Sequence, residues 1–305
     1  MEIIILVINY VIFIVPILIN VAFVTLLERK ILGLSQLRLG PNKVSLVGVL
    51  QPFSDAIKLL TKQSEANYNV NWKLFFLRPV IMLVTSFLLW NLLPLNMHVS
   101  KWAVIIISIL VILRLGIYPL LISGWASNRK YATLGAIRGV AQTISYEISL
   151  ALIIIIFILC FILYSARDHH YSSLVLLTIF PSVIIMWLVI LLAETNRTPF
   201  DFSEGESELV SGFNIEYAST GFVLIFLSEY AIILLFSTAS VIFFSNLKLF
   251  CLSRRLLSIT LARVWIILRA TLPRYRYDLL IRTAWKTYLP TSLGAVTIIT
   301  LVTII

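Results

Sequence analysis

Charge is scarce in this sequence. Asp, Glu, Lys and Arg make up only 12% of its 305 residues, while 60% are hydrophobic. A soluble domain carries about twice that charge and has too much exterior to hide so much apolar side chain, so a soluble enzyme is excluded. With two cysteines, Cys160 and Cys251, the chain can build neither a disulfide framework nor a thiolate metal centre. The three histidines, His98, His169 and His170, fall in predicted loops, which excludes haem ligation from within a helical bundle. Nothing has the spacing of a P-loop or a Gly-rich dinucleotide turn. The ~10-residue alternation of a membrane β-barrel is also missing. No basic segment precedes the first apolar run, which follows Met1-Glu2 directly, so no cleavable signal is expected.

What the chain does have is long apolar runs, with a mean hydropathy of +1.00. About 20 residues per crossing caps the number of spans near nine. Eight segments emerge, near Ile3–Leu27, Phe75–Leu93, Ala103–Ser123, Gly139–Tyr164, Leu174–Ala193, Tyr217–Phe244, Leu256–Leu272 and Tyr288–Ile305. The first is too long to stand upright in a bilayer and is expected to tilt or protrude. The expected fold is therefore an all-α polytopic membrane protein forming a single membrane domain over residues 1–305. Seventeen of the 24 basic residues lie in or beside the loops after spans one, three, five and seven, which places those loops on the cytoplasmic or matrix side. Topology thus accounts for the net charge of +10, and nucleic acid is not an expected partner. Within the first inner loop, Phe53, Ala56, Ile57 and Leu60 recur at helical spacing after Pro52. They predict a short amphipathic helix, either floating at the headgroups or closing a lipid-facing portal; periodicity alone favours the first.

Acids concentrate where bases dominate. Between Glu194 and Glu216 lie Glu194, Asp201, Glu204, Glu206, Glu208 and Glu216, six of the chain's 14 carboxylates, with Arg197 as the lone base. Ser203 and Glu206 have capping-box spacing, which explains two or three of them and leaves the rest. Beside Pro199, Phe200 and Phe202, partly dry carboxylates become able to exchange protons near neutral pH. Two more acids, Glu147 and Glu229, fall within spans four and six. Each is either half of an ion pair, with Arg114 or Arg263 at similar depth, or part of a proton path, the default for an acid inside the bilayer. A route from Glu194 to Glu147 and Glu229 is physically reasonable. Residue chemistry alone leaves two classes open: a free-standing proton-coupled membrane transporter, or a coupling subunit of a membrane redox enzyme.

Several inner-side motifs narrow this. They are Glu28-Arg29-Lys30, Gln36-x-Arg38-x-Gly40-Pro41-Asn42 and Gln51-Pro52-Phe53-x-Asp55-Ala56-x-Lys58; then Ser123-Gly124-Trp125-Ala126-Ser127-Asn128 and Gln142-Thr143-Ile144-Ser145-Tyr146-Glu147. The run Ala193-Glu194-Thr195-Asn196-Arg197-Thr198-Pro199-Phe200-Asp201 through Glu216-Tyr217 is the most specific, and Arg269-Ala270-Thr271 with Pro273-Arg274-x-Arg276-Tyr277-Asp278 completes the set. In this order, the chain resembles from end to end the subunit 1 family of respiratory complex I, the proton-pumping NADH:ubiquinone oxidoreductase.

The resemblance implies an eight-span subunit of a mitochondrial inner membrane enzyme, a bacterial plasma membrane being the less favoured alternative. It implies inner loops 28–73, 124–138, 194–216 and 270–287 that form a quinone chamber. Glu28, Arg29, Arg38, Asp55, Arg197, Phe200, Asp201 and Arg274 match positions beside the quinone. Glu147, Glu194, Glu204, Glu206, Glu208, Glu216 and Glu229 match acids that pass the effect of quinone reduction toward the pumping subunits. Ubiquinone is then the substrate, FMN and iron–sulfur clusters sit on partner subunits, lipids and other complex I subunits are the partners, and this chain holds no metal. Four positions depart from the pattern: Gln63 stands where the family has Glu, Leu279 where it has Gln, and Arg114 and Arg263 add cations inside spans.

Overall fold

The computed structural model describes residues 2–63, 69–93, 102–165, 181–202, 205, 212, 214–244 and 251–304. Among these the regular structure is all helical. In order come α1 (Glu2–Ser35), α2 (Gln51–Thr61), α3 (Trp72–Asn91), α4 (Trp102–Leu115) and α5 (Ile117–Ala126). They are followed by α6 (Lys130–Ser165), α7 (Pro181–Glu194), α8 (Ser219–Phe244), α9 (Cys251–Thr271), α10 (Tyr277–Thr283) and α11 (Leu289–Ile304). A π-helical turn at Ala284–Tyr288 joins the last two.

All eight expected segments carry helix. Among the described residues five stretches are long and apolar enough to cross a bilayer: Ile8–Ser35, Trp72–Asn91, Ile107–Ala126, Lys130–Leu159 and Ser219–Phe244. The other three segments depart from that standard for separate reasons. α7 is apolar and has 14 described residues, residues 174–180 of its expected span lying outside the described part; α11 has 16, and α9 carries Arg254, Arg255, Arg263 and Arg269 along its 21. α1 has 34 residues, roughly 51 Å of helix at 1.5 Å per residue against a ~30 Å hydrocarbon layer. The expectation that it tilts or projects follows from that length. Span three is interrupted at Gly116, whose N–H reaches only three residues back, to the Leu113 carbonyl at 2.9 Å.

Two helices form the centre. α8 packs on α1, α2, α3 and α9, and α6 packs on α4, α5, α7, α10 and α11. Trp187 of α7 locks them together. Its ring meets Phe157 of α6 edge-on at 5.3 Å and Phe243 of α8 at 5.5 Å, and its indole N–H donates to Ser240 Oγ at 3.1 Å. A buried indole needs such an acceptor. The α5–α6 contact depends on small residues, because a Cβ on Gly124 would stand 2.4 Å from that of Ala136. Such close approach is how membrane helices gain dispersion energy without a hydrophobic drive between them.

The four inner loops meet at one end of the bundle. Asn71 N–H donates to the Ala126 carbonyl at 3.1 Å and Tyr275 N–H to that of Pro199 at 3.0 Å. Ser219 Oγ donates to the Lys62 carbonyl at 2.8 Å, and Arg129 lies 3.7 Å from Glu216. The first of these loops doubles back at Gly48, where φ is +78° and a Cβ would collide with the Pro41 carbonyl; only glycine fits there. One residue departs from the charge-based topology. Arg78, counted with the inner-side cations, lies inside α3 and is fully buried, with its guanidinium 5.0 Å above the Tyr217 ring. An aromatic face gives a buried cation partial compensation for lost water.

Candidate functional site

Glu28 lies near the inner end of α1 and is 4% exposed. Its carboxylate is held from three sides. Arg269 of α9 binds Oε1 directly, the Tyr230 hydroxyl of α8 donates to Oε2 at 2.5 Å, and Arg197 stands 3.9 Å from Oε1. Arg197 also reaches across α8 to Glu229 Oε2 at 3.6 Å and lies over the Tyr230 ring at 4.5 Å. A buried carboxylate is tolerable only with partners of this kind. The network borders a small cavity whose walls include Val24, Leu192, Trp265 and Ile266, so it combines charge with an apolar surface.

Just beyond, α2 is fastened to α1. Arg29 Nη1 meets Asp55 Oδ2 at 2.5 Å, Gln51 Nε2 donates to Asp55 Oδ1 at 2.8 Å, and Phe53 sits edge-on to Phe23 at 6.1 Å. None of the residues of α2 is buried, and Ile57 and Leu60 are exposed. The helix is thus docked by its polar edge while an apolar face stays open, rather than floating free of the bundle.

The loop after α7 turns inward through a cis Thr198–Pro199 bond. Phe200 and Asp201 are buried, and Arg274 meets Asp201 at 3.5 Å. The Phe200 ring lies 5.5 Å from Tyr275 and 6.1 Å from Tyr146. Gln142, wholly buried on α6, holds the loop by donating Nε2 to the Ala193 carbonyl at 2.9 Å and the Phe200 carbonyl at 2.8 Å. Replacing it with alanine leaves each carbonyl with a backbone donor alone, Asn196 N–H to Ala193 at 3.3 Å and Phe202 N–H to Phe200 at 3.1 Å. It also removes these two side-chain ties between α6 and the loop, at about 0.5–1.5 kcal/mol each. Gln142→Ala is therefore expected to make the 194–202 loop protease-sensitive in the assembled protein; an unchanged digestion pattern would show that the loop is held some other way.

The acids divide into those the structure gathers and those outside it. Glu194 and Glu229 both line a cavity of about 70 Å³ between α3, the α4–α5 break, α6 and α8, room for several water molecules. Glu147, 7% exposed, sits close enough to Glu194 for the two charges to interact. It also pairs with Arg114 Nε at 2.7 Å, one of the two cations the sequence offered, whereas Glu229 pairs with Arg197. Glu204, Glu206 and Glu208 lie outside the described residues. Arg38 is exposed and bonded to Gln36 at 2.8 Å, and the structure does not bring it to the rest. Tyr230 was missed by sequence reasoning. Its signal, a tyrosine beside an intramembrane acid, is indistinguishable from ordinary core. Arg269 was legible as a motif residue but not as the partner of Glu28, because the two are 241 residues apart.

A family model described as NADH dehydrogenase matches residues 8–300. Proteins named NADH-ubiquinone oxidoreductase chain 1 are similar over most of the chain. The Anopheles gambiae protein is 46% identical across 92% of this chain and 90% of its own length. The Strongylocentrotus purpuratus protein is 46% identical across 93% and 91%, and that of Sarcophilus harrisii 42% across 94% and 93%.

Proposed function

The chain belongs to the NADH dehydrogenase family, and from that membership we propose that it forms one wall of the quinone route and passes the effect of quinone reduction into the membrane through paired acids. It is a multi-pass subunit of NADH:ubiquinone oxidoreductase in the inner mitochondrial membrane. The free-standing transporter does not share that family. Other subunits of the same enzyme are its partners, and ubiquinone is its substrate; FMN and iron–sulfur clusters belong to those partners.

One observation carries the coupling: Arg197 stands between Glu28 and Glu229, 3.9 Å from the first and 3.6 Å from the second. Glu28 belongs to the group proposed to face the quinone, with Arg29, Asp55, Phe200, Asp201 and Arg274; Arg38, which stands apart from them, is proposed to meet the quinone only at the mouth of the route. Glu229 borders the inner cavity. A guanidinium shared by two carboxylates stabilises whichever is ionised, so drawing it toward one frees the other to take a proton. Reduction of the quinone demands electrons and protons together, and the resulting local charge shifts the balance. The route then runs from Glu229 across the cavity to Glu194 and on to Glu147, with Glu216 and the acids at 204, 206 and 208 feeding it from the loop. Desolvation at these positions makes each proton exchange sensitive to its neighbours.

A photoreactive ubiquinone analogue tests the wall. In the assembled enzyme, attachment is expected within Glu28–Lys62 and Glu194–Glu216, and it should diminish when unlabelled ubiquinone is in excess. Labelling confined to other subunits, or untouched by competition, would remove this chain from the quinone route.

A further inference from the structure

The α1–α9 contact has a second groove, unrelated to the Glu28 network. It has a volume of about 480 Å³ and is lined by Phe23, Leu26, Leu27, Lys30, Ile31 and Arg263. The cavity at Glu28 uses Val24, Trp265, Ile266 and Arg269 of the same two helices, so the groove occupies a different face. Four of its six residues are apolar and the remaining two are cations. Lys30 donates one bond, to the Val47 carbonyl at 2.7 Å, which leaves two ammonium donors. Arg263 is exposed, and among the described residues no carboxylate lies within ion-pairing distance of it.

Depth gives this pairing its meaning. Contact between Glu28 and Arg269 fixes those two positions at one level. Arg263 precedes Arg269 by six residues, which sets its Cα about 9 Å deeper in the bilayer. An arginine there is costly unless its head reaches back toward the surface, along the groove and toward Lys30. Two basic heads over an apolar trough match a phosphate with acyl chains attached, whereas a neutral quinone head supplies no counter-charge.

We propose that the Lys30–Arg263 groove is a binding site for an anionic phospholipid, whose phosphate sits between the two cations and whose acyl chain runs along Phe23 and Leu27. Net-anionic headgroups bind in preference to zwitterionic ones, whose own cation competes for the phosphate.

The test uses the assembled enzyme in mild detergent and phosphatidylglycerol carrying a photoreactive acyl chain, with the matching phosphatidylcholine for comparison. Attachment within 23–31 is expected from the first and about fivefold less from the second, the equivalent of one basic contact. Arg263→Leu should cut labelling by a similar factor, and Arg263→Lys should restore most of it. Equal labelling by both headgroups, unchanged labelling in Arg263→Leu, or displacement by inorganic phosphate alone would each overturn the assignment. So would absence of label on 23–31, the result expected if a partner helix covers the groove. Should Arg263→Leu fail to assemble, the headgroup comparison on the unaltered enzyme decides.

Discussion

Replacing Glu28 with alanine is expected to cost the enzyme its assembly. The change removes the carboxylate held by Arg269, Arg197 and the Tyr230 hydroxyl, and the Arg197 side chain is 13% exposed. Breaking a buried pair by deleting one partner costs about 3–5 kcal/mol, because the remaining charge stays desolvated. That is a large share of the stability of any domain. The assembled enzyme, read on a native gel, should fall to a small fraction of its normal amount. Tyr230→Phe removes one bond to a charged group, about 1.5–3 kcal/mol, and should be milder. Glu28→Gln keeps the shape and the Tyr230 acceptor but discards the charge. It is therefore expected to assemble better than Glu28→Ala and still reduce ubiquinone poorly. If Glu28→Ala assembles and turns over normally, the network is decorative and the quinone wall needs another anchor.

The second large effect concerns proton movement. Glu229→Gln and Glu147→Gln are each expected to assemble and yet slow coupled turnover on the order of tenfold or more, a barrier increase of at least 1.4 kcal/mol, with fewer protons moved per electron in reconstituted vesicles. The Arg114–Glu147 pair makes a sharper comparison available. If Glu147 serves only to neutralise Arg114, the double variant Arg114→Gln with Glu147→Gln should recover most of what Glu147→Gln loses, since no unpaired charge remains. If Glu147 carries protons, the double variant stays impaired. A double-mutant cycle separates the two outcomes, and full recovery would count decisively against the relay.

The fold class was legible because hydrophobicity at bilayer length leaves helices as the only continuous solution, and each expected span carries helix among its described residues. Less legible was how each helix ends. The start of α6 at Lys130, well before the apolar run near Gly139, and the break at Gly116 depend on packing that a hydropathy window averages away. At the site, motif residues were found singly while their pairings were not. Nothing local relates Glu28 to Arg269, or Asp201 to Arg274, because those contacts exist only once four loops converge. Arg78 misled for a similar reason: a cation near a span end resembles a topology signal, and its burial against the Tyr217 ring is visible only in the fold. Arg114 and Arg263, the two cations expected inside spans, part company in the structure. One neutralises an acid on the next helix, and the other faces the groove beside α1.

The interruption of span three at Gly116 has a mechanical consequence. A continuous rod resists bending because every turn is tied to the next, but two shorter rods that meet at a loosened joint can change their angle while each keeps its own ladder intact. The joint lies on the cavity wall with Glu194 and Glu229, and Arg114 sits two residues before it, at the last turn of the outer rod. A change of charge among those carboxylates therefore acts close to a pivot, where a small displacement swings the far end of α4 through the widest arc.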